Sequence, residues 1–240
     1  VKVREHYDHI APVYEDRYRD PRGDAYYRHI SRELGQYLPD RGRILDLGCG
    51  TGLFFRRFIQ NGTIEGVGLD LSSGMVRLAR QQADSRHVEY TLGRVESLPF
   101  LDESFDGISS MLAFSYFTHP EQMLSEAYRV LRPGGVMAVC TLARNIFTSA
   151  LPPLYRIGEA IGLEVAGVGD FGERYYTEDE MVDLFDDAGF VPLRVSRRSF
   201  AHYTMARPIY AVARKMEPYI ESHLPYFAYN LCTAAQKPAE

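Results

Sequence analysis

Cysteine is scarce: the chain holds three among 240 residues, an odd number. Cys49, Cys140 and Cys232 lie far apart with no C-x-x-C pair, which argues against a disulfide framework or a thiolate metal site and makes a reducing cytoplasm the expected setting. No apolar run approaches the roughly 18 residues of a membrane span. The opening VKVREHYDHI also lacks the continuous apolar core of a secretory leader. Positive charge is not in excess. A formal net charge of −5 offers no general attraction for a polyanion, so nucleic acid is not an expected partner. The seven histidines are scattered without an HxxxH or similar pair, and no metal is expected. Internal repeats and low-complexity tracts are absent too, and the length suits one core with a small appended region.

What is present is alternation. From Arg43 onward, short β-type runs alternate with helical patterns, the sign of βαβ units and a mostly parallel sheet with helices on both faces. RILDL (43–47), TIEGVGLD (63–70), VEYTLG (88–93), FDGISSML (105–112) and GVMAVCTL (135–142) read as strands one to five. The helices between them include LFFRRFIQNG, ending near Asn61-Gly62, SSGMVRLARQQA, capped by Ser72 or Ser73, and EQMLSEAYRVL (121–131), stopped by Pro133-Gly134-Gly135. TEDEMVDLFDDAGF (177–190) reads as a helix with Thr177 as its N-cap, VPLRVSRRSF as strand six and NLCTAAQKP as strand seven. A helix after Pro208 is expected within 205–227, inserted between the last two strands, and its partial apolar stripe fits packing or a roof over substrate better than a membrane surface. The expected organisation is a tyrosine-rich helical cap over 1–42 and one folded unit over 43–240, with lid segments at 145–173 and 205–227.

ILDLGCGTG, Ile44 to Gly52, is the most informative stretch. Glycines at 48, 50 and 52 after a buried strand let a ligand approach bare main chain. The dinucleotide pattern G-x-G-x-x-G fails in both registers, because Leu53 and Phe55 stand where its last glycine belongs. Asp46 would repel a pyrophosphate on this turn but attract an ammonium or sulfonium. Asp70, at the end of the second strand, can accept hydrogen bonds from both hydroxyls of a ribose, and it can also cap the following helix. S-adenosylmethionine carries both cations, an adenosine and no phosphate.

LDLGCGTG, GLDLSSGM, VESLPF, SFDGISSM and EAYRVLRPGG stand in the order found in class I S-adenosylmethionine-dependent methyltransferases, and YYTEDEMVDLFDDAGF extends the likeness. The chain resembles that family, especially the subgroup containing quinone-biosynthesis C-methyltransferases. The resemblance implies a Rossmann-like seven-stranded sheet, mostly parallel with the last strand antiparallel. It implies that Gly48, Cys49, Gly50 and Gly52 hold the methionine part of the cofactor, with Asp46 near its ammonium and Asp70 on the ribose. Leu71 and Met75 would pack on adenine, Arg94, Val95 and Glu96 would border it, and Met111 would belong to the same pocket. Arg94 departs from the pattern: related chains carry an acid there that accepts from the adenine amino group, whereas arginine only donates. YDHIAPVYEDRY (7–18) resembles the family's N-terminal cap, so Tyr7, Tyr14 and Tyr18 either close over the sulfonium by cation–π attraction or fill a helix–domain interface.

On the acceptor side, the resemblance aligns AFSYFTHP (113–120) with the wall facing the transferred methyl. Phe114, Ser115 and Tyr116 are the substrate candidates, although Phe114 and Phe117 suit the core somewhat better. Their apolar, aromatic character points to a small lipophilic or aromatic acceptor. Tyr116, His119 and His202 are the candidate catalytic groups; Cys49 reads as a buried filler without a nucleophilic role. Expected chemistry is in-line methyl transfer leaving S-adenosylhomocysteine. The competing reading is a cofactor-binding regulator or homologue without turnover.

Overall fold

The computed structural model describes residues 2–59, 63–83, 87–145 and 173–239. Nearly all of the expected 145–173 lid, and the Asn61-Gly62 helix stop, lie outside them.

Three helices precede the sheet: α1 (Lys2–Ile10), α2 (Asp16–Arg19) and α3 (Pro21–Gly35). Pro21 opens α3, where its missing N–H costs nothing, and the Asp20 carboxylate accepts from the Arg22 N–H at 2.9 Å. There follow β1 (Gly42–Leu47), α4 (Leu53–Phe58), β2 (Ile64–Asp70), α5 (Ser73–Gln81), β3 (Val88–Leu92), β4 (Phe105–Met111), α6 (Pro120–Val130), β5 (Leu131–Leu142), α7 (Glu178–Asp187), β6 (Val191–Arg198), α8 (Arg207–His223) and β7 (Asn230–Gln236). The seven strands form one sheet in the order β3-β2-β1-β4-β5-β7-β6. β7 runs antiparallel to both its neighbours; β1 to β5 pair parallel.

Side-chain alternation along β1 divides the interior. Leu45 and Leu47 join Phe105, Ile108, Met123, Leu124 and Phe185 on one face, beneath α6 and α7. Ile44 joins Ile30, Leu34, Phe54 and Phe55 on the other, beneath α3 and α4. Thr177 caps α7 through a reciprocal box, its hydroxyl accepting from the Glu180 N–H while the Glu180 carboxylate accepts from the Thr177 N–H.

Several element ends shift by a residue or two from those expected, and two have a clear physical cause. α4 ends at Phe58, because Ile59 is already extended. α6 ends at Val130 rather than Leu131: Leu131 pairs with Phe105, and the next pair is Gly107 with Val136, so 132–135 bulge out opposite Asp106. Pro133-Gly134-Gly135 is therefore a kink inside β5 and not the helix stop, with Gly134 at φ +79° and Arg132 ion-paired to Asp106.

The chain proceeds from β1 outward to β2 and β3, then returns to place β4 on β1's other side. At that reversal the loops after β1 and β4 diverge and open a crevice at the strand tips.

Candidate cofactor and acceptor site

A cavity of about 190 Å³ occupies that crevice. Its floor is the turn after β1. Gly50 sits at φ +54°, and a Cβ there would meet nothing within 4 Å, so its side faces open space. Its N–H donates to Asp70 Oδ2 at 2.8 Å, and the Ser72 N–H donates to Oδ1 at 2.8 Å. Two backbone donors from two different turns thus orient the carboxylate, and each oxygen keeps lone-pair capacity for a further donor. Burial raises the Asp70 pKa, opposed by these N–H groups. Gly52, at φ +79°, closes the turn: a Cβ there would stand 2.3 Å from the Tyr90 hydroxyl.

Asp46 lies behind the turn and not on the cavity wall. It is 1% exposed, and Ser109 Oγ donates to its Oδ1 at 2.8 Å. Burial, partly offset by that hydrogen bond and reinforced by the negative charge of Asp70, raises its pKa to about 7.

The cap is fastened to this floor by two carboxylates. Asp8 of α1 accepts from Ser72 Oγ at 2.7 Å and from the Gly74 N–H at 2.8 Å, at the positive end of α5. Glu15 accepts from Thr51 Oγ1 inside the glycine turn and from Arg56 of α4. Between these anchors Tyr7 and Tyr14 face the cavity, their ring centroids 6.2 Å apart and Tyr116 5.7 Å from Tyr7. Tyr7 and Tyr116 share a hydrogen bond, and burial raises both phenols; Tyr14 is pushed up to about 12. All three are neutral near pH 7, so they offer hydroxyl dipoles and π faces rather than a phenolate base.

Of the residues expected from sequence, the wall brings together Tyr7, Tyr14, Gly48, Gly50, Asp70, Leu71, Met75, Arg94, Val95, Glu96, Met111 and Tyr116. Arg94 leans outward, 61% exposed along its side chain, with a guanidinium nitrogen 3.4 Å from Glu96. Tyr18, Asp46, Cys49, Gly52, Phe114, Ser115, His119 and His202 are not on the wall. Tyr18 packs behind Tyr14, 6.1 Å between centroids, and against Tyr27. Phe114 is a core residue beside Tyr176, and Ser115 Oγ, buried, pairs with Thr141 Oγ1 at 2.6 Å and accepts from the Leu142 N–H. His119 is exposed at the start of α6. His202 is wedged among Tyr26, Tyr203 and Tyr229, and burial lowers its pKa to about 4, leaving it neutral.

Sequence reasoning missed Val3, Arg4, Ser72 and Leu112 on the wall, while Ala113, Phe117 and Thr118 belong to the 113–120 stretch expected there without being named as substrate candidates. Leu112 sits at φ +57°, a left-handed conformation costly for leucine, held by its N–H to Cys140 O at 2.8 Å where β4 opens into the crevice. Asp8 and Glu15 were missed as anchors. Thr51, a hydroxyl locked between two glycines and 1% exposed, was the available signal for the second. The one metal-capable grouping among the described residues, His29, Glu217 and Glu221, lies between α3 and α8, where Glu221 accepts from the Ser199 N–H and Glu217 from the Ala201 N–H.

Comparison with known proteins decides the family. Residues 45–139 match the model described as a methyltransferase domain. The ubiquinone biosynthesis O-methyltransferase of Ruegeria pomeroyi is 32% identical over 180 residues, covering 71% of this chain and 68% of that one. The chain belongs to the S-adenosylmethionine-dependent methyltransferases. The malonyl-[acyl-carrier protein] O-methyltransferase of Serratia marcescens is 38% identical over 120 residues, 48% of this chain and 46% of that one. The match to the biotin biosynthesis bifunctional protein BioHC of Teredinibacter turnerae, 42% identical over 111 residues, takes in 41% of this chain and 19% of the relative. The chain thus spans less than half of the length of these two relatives. Among solved structures, the complex of the Haloferax volcanii Trm112 activator with a methyltransferase aligns at TM-score 0.72 and 22% identity, 97% of each chain covered. The [4+2]-cyclase SpnF aligns at TM-score 0.71 and 21% identity over 99% of this chain and 96% of that one, so this methyltransferase fold also carries a different reaction.

Proposed function

We propose that this chain transfers the methyl group of S-adenosylmethionine to an oxygen of a small lipophilic or aromatic acceptor, leaving S-adenosylhomocysteine. The observation that carries the reading is the Asp70 carboxylate, aimed into the cavity by the Gly50 and Ser72 N–H groups at the tip of β2. A carboxylate so placed suits the hydroxyls of an adenosine ribose. The failed dinucleotide glycine pattern at Leu53 and Phe55, together with the methyltransferase relatives, supports S-adenosylmethionine as the adenosine compound. In this assignment Leu71, Met75, Val95 and Glu96 border the adenine, and Gly48 to Gly52 hold the methionine part. Asp46 titrates near 7 in the cofactor-free chain and stands behind the turn, where the cofactor's ammonium would favour its charged form, and Tyr7, Tyr14 and Tyr116 surround the sulfonium. The choice of oxygen draws on the Ruegeria and Serratia relatives, both named as O-methyltransferases.

When bound, the cofactor supplies an electrophilic methyl already activated by its sulfonium. The chain's residues then align and exclude water. Phe117, Ala113 and the tyrosine rings form an apolar wall against which a flat acceptor can lie. The Tyr7–Tyr116 hydroxyl pair can hold the acceptor oxygen in line with the methyl. Residues 1–42 act as a cap tied to the sheet unit by Asp8 and Glu15. The test is incubation with methyl-labelled S-adenosylmethionine and separate phenols, quinols, amines and malonyl-acyl carrier protein. Label on a phenolic oxygen supports the reading; label only on amines or the malonyl carboxylate replaces the acceptor; cofactor binding without transfer to any refutes turnover.

A further inference from the structure

We infer that the groove between α3 and α4 is a binding site for a phosphate-bearing small molecule, separate from the cofactor cavity. The two helices meet where Gly35 packs on Phe58: a Cβ at Gly35 would stand 2.8 Å from the Phe58 ring. From that closed end an open groove of about 740 Å³ runs along α3 as far as Asp24, a volume suited to a small ligand. It shares no wall residue with the cavity at the strand tips.

The charge of the groove identifies the ligand. Arg28, Arg32, Arg56 and Arg57 line it, in a chain whose net charge is −5. Arg28 and Arg32 stand one turn apart on α3, on the same stripe as Asp24 and turned from the buried Ile30 and Leu34; Arg56 and Arg57 approach from α4. Among the described residues the wall holds a single acid, Asp24, and both its oxygens are taken. Arg28 Nε lies 2.7 Å from Oδ2, and a guanidinium nitrogen of Arg57 donates to Oδ1 at 2.8 Å. Glu15, off the wall, accepts from Arg56, which also donates to Thr51 O. Two carboxylates therefore stand against four guanidiniums. Arg32 has no ion-pair partner among the described residues.

Part of this excess charge is fixed in place. The Arg56 and Arg57 side chains are only 13% and 25% exposed, and the Arg57 guanidinium carbon lies 4.9 Å from the Tyr27 ring centroid. Arg28 and Arg32 stand at the exposed rim. Guanidiniums of one sign in a concavity focus the potential there, and their planar N–H forks match the oxygens of a phosphate. The Ser31 hydroxyl on the same wall is buried without a hydrogen-bond partner, so a rotamer that donates to a ligand oxygen gains a bond and gives none up. The closed end at Phe58 favours a small molecule that enters the groove over an acidic protein lying across it.

The test is calorimetric titration of the full chain with pyrophosphate, inorganic phosphate and citrate, at low and high salt. Pyrophosphate is expected to bind more tightly than the other two, to weaken with salt and to leave S-adenosylhomocysteine affinity unchanged. Arg32→Gln, which breaks no ion pair, should weaken pyrophosphate about tenfold, and Arg28→Gln about as much. Arg77→Gln, an exposed arginine of α5 away from the groove, should have no effect. Circular dichroism and thermal midpoints report that the variants fold. No pyrophosphate binding, equal binding by Arg32→Gln and Arg28→Gln, or tighter binding of citrate would each overturn the inference. Competition between pyrophosphate and S-adenosylhomocysteine would overturn it too, by placing the anion in the cofactor cavity. Retention of malonyl-acyl carrier protein by the parent but not by Arg32→Gln, without pyrophosphate binding, would assign the groove to an acidic protein instead.

Discussion

Asp46→Asn should stabilise the cofactor-free protein in mild alkali and destabilise it in acid. The carboxyl is 1% exposed, accepts one hydrogen bond from Ser109, and titrates near 7 against 3.8 for a solvated aspartate. Below about pH 4 both folded and unfolded chains hold the proton, and there is no penalty. As pH rises from about 4 to about 7 the unfolded chain releases its proton while the folded chain retains it, so stability falls with rising pH and levels off above about 7. Roughly three pKa units at about 1.4 kcal/mol each give a loss of about 4 kcal/mol. Asparagine does not titrate, and its carbonyl can still accept from Ser109 Oγ, but its buried amide lacks an assured acceptor and costs about 1–3 kcal/mol. The variant should thus be about 1–3 kcal/mol less stable than the parent near pH 4 and more stable by a similar amount near pH 8. Urea denaturation of both apo proteins across that range measures the difference. A stability gap that does not change with pH would refute the buried, proton-holding Asp46, whatever its sign.

The remaining expectations concern the site and the local structure. Asp70→Ala should weaken S-adenosylhomocysteine binding by about 1–3 kcal/mol in calorimetry while the fold persists; an unchanged dissociation constant contradicts the ribose assignment. Gly52→Ala sets a Cβ 2.3 Å from the Tyr90 hydroxyl at φ +79°, and should lower stability by about 1–3 kcal/mol, read as a shifted denaturation midpoint. Thr177→Ala removes the α7 capping box and should cost about 1 kcal/mol without changing cofactor affinity. Tyr14→Phe should leave cofactor affinity nearly unchanged and Tyr14→Ala should reduce it by about 0.5–2 kcal/mol if a π face meets the sulfonium; equal losses in both would point to the hydroxyl instead.

The sheet was legible because its signals are local. Apolar runs of strand length bounded by glycine, the Thr177–Glu180 spacing and the Ser72 cap each act within a few residues, and the structure contains them. The start of β5 was not legible, because Leu131 is drawn into the sheet by Phe105, 26 residues earlier, overriding a proline-glycine stop. At the site, Asp70 and the glycine turn could be read from one βαβ unit. The orientation after β4 could not: a single 3-10 turn over Phe114–Tyr116 sends Phe114 and Ser115 inward and leaves Tyr116 on the cavity. His202 looked able to reach the cleft, but its neighbour Tyr203 and two tyrosines from elsewhere in the chain, Tyr26 and Tyr229, enclose it.

A crystal structure of the chain soaked with S-adenosylhomocysteine tests the central claim most directly. The account predicts both ribose hydroxyls on the Asp70 carboxylate, adenine between Leu71 and the Val95–Glu96 segment, and the sulfur facing Tyr7, Tyr14 and Tyr116. An adenosine bound elsewhere, or bound in this crevice with Asp70 turned from the ribose, would contradict it.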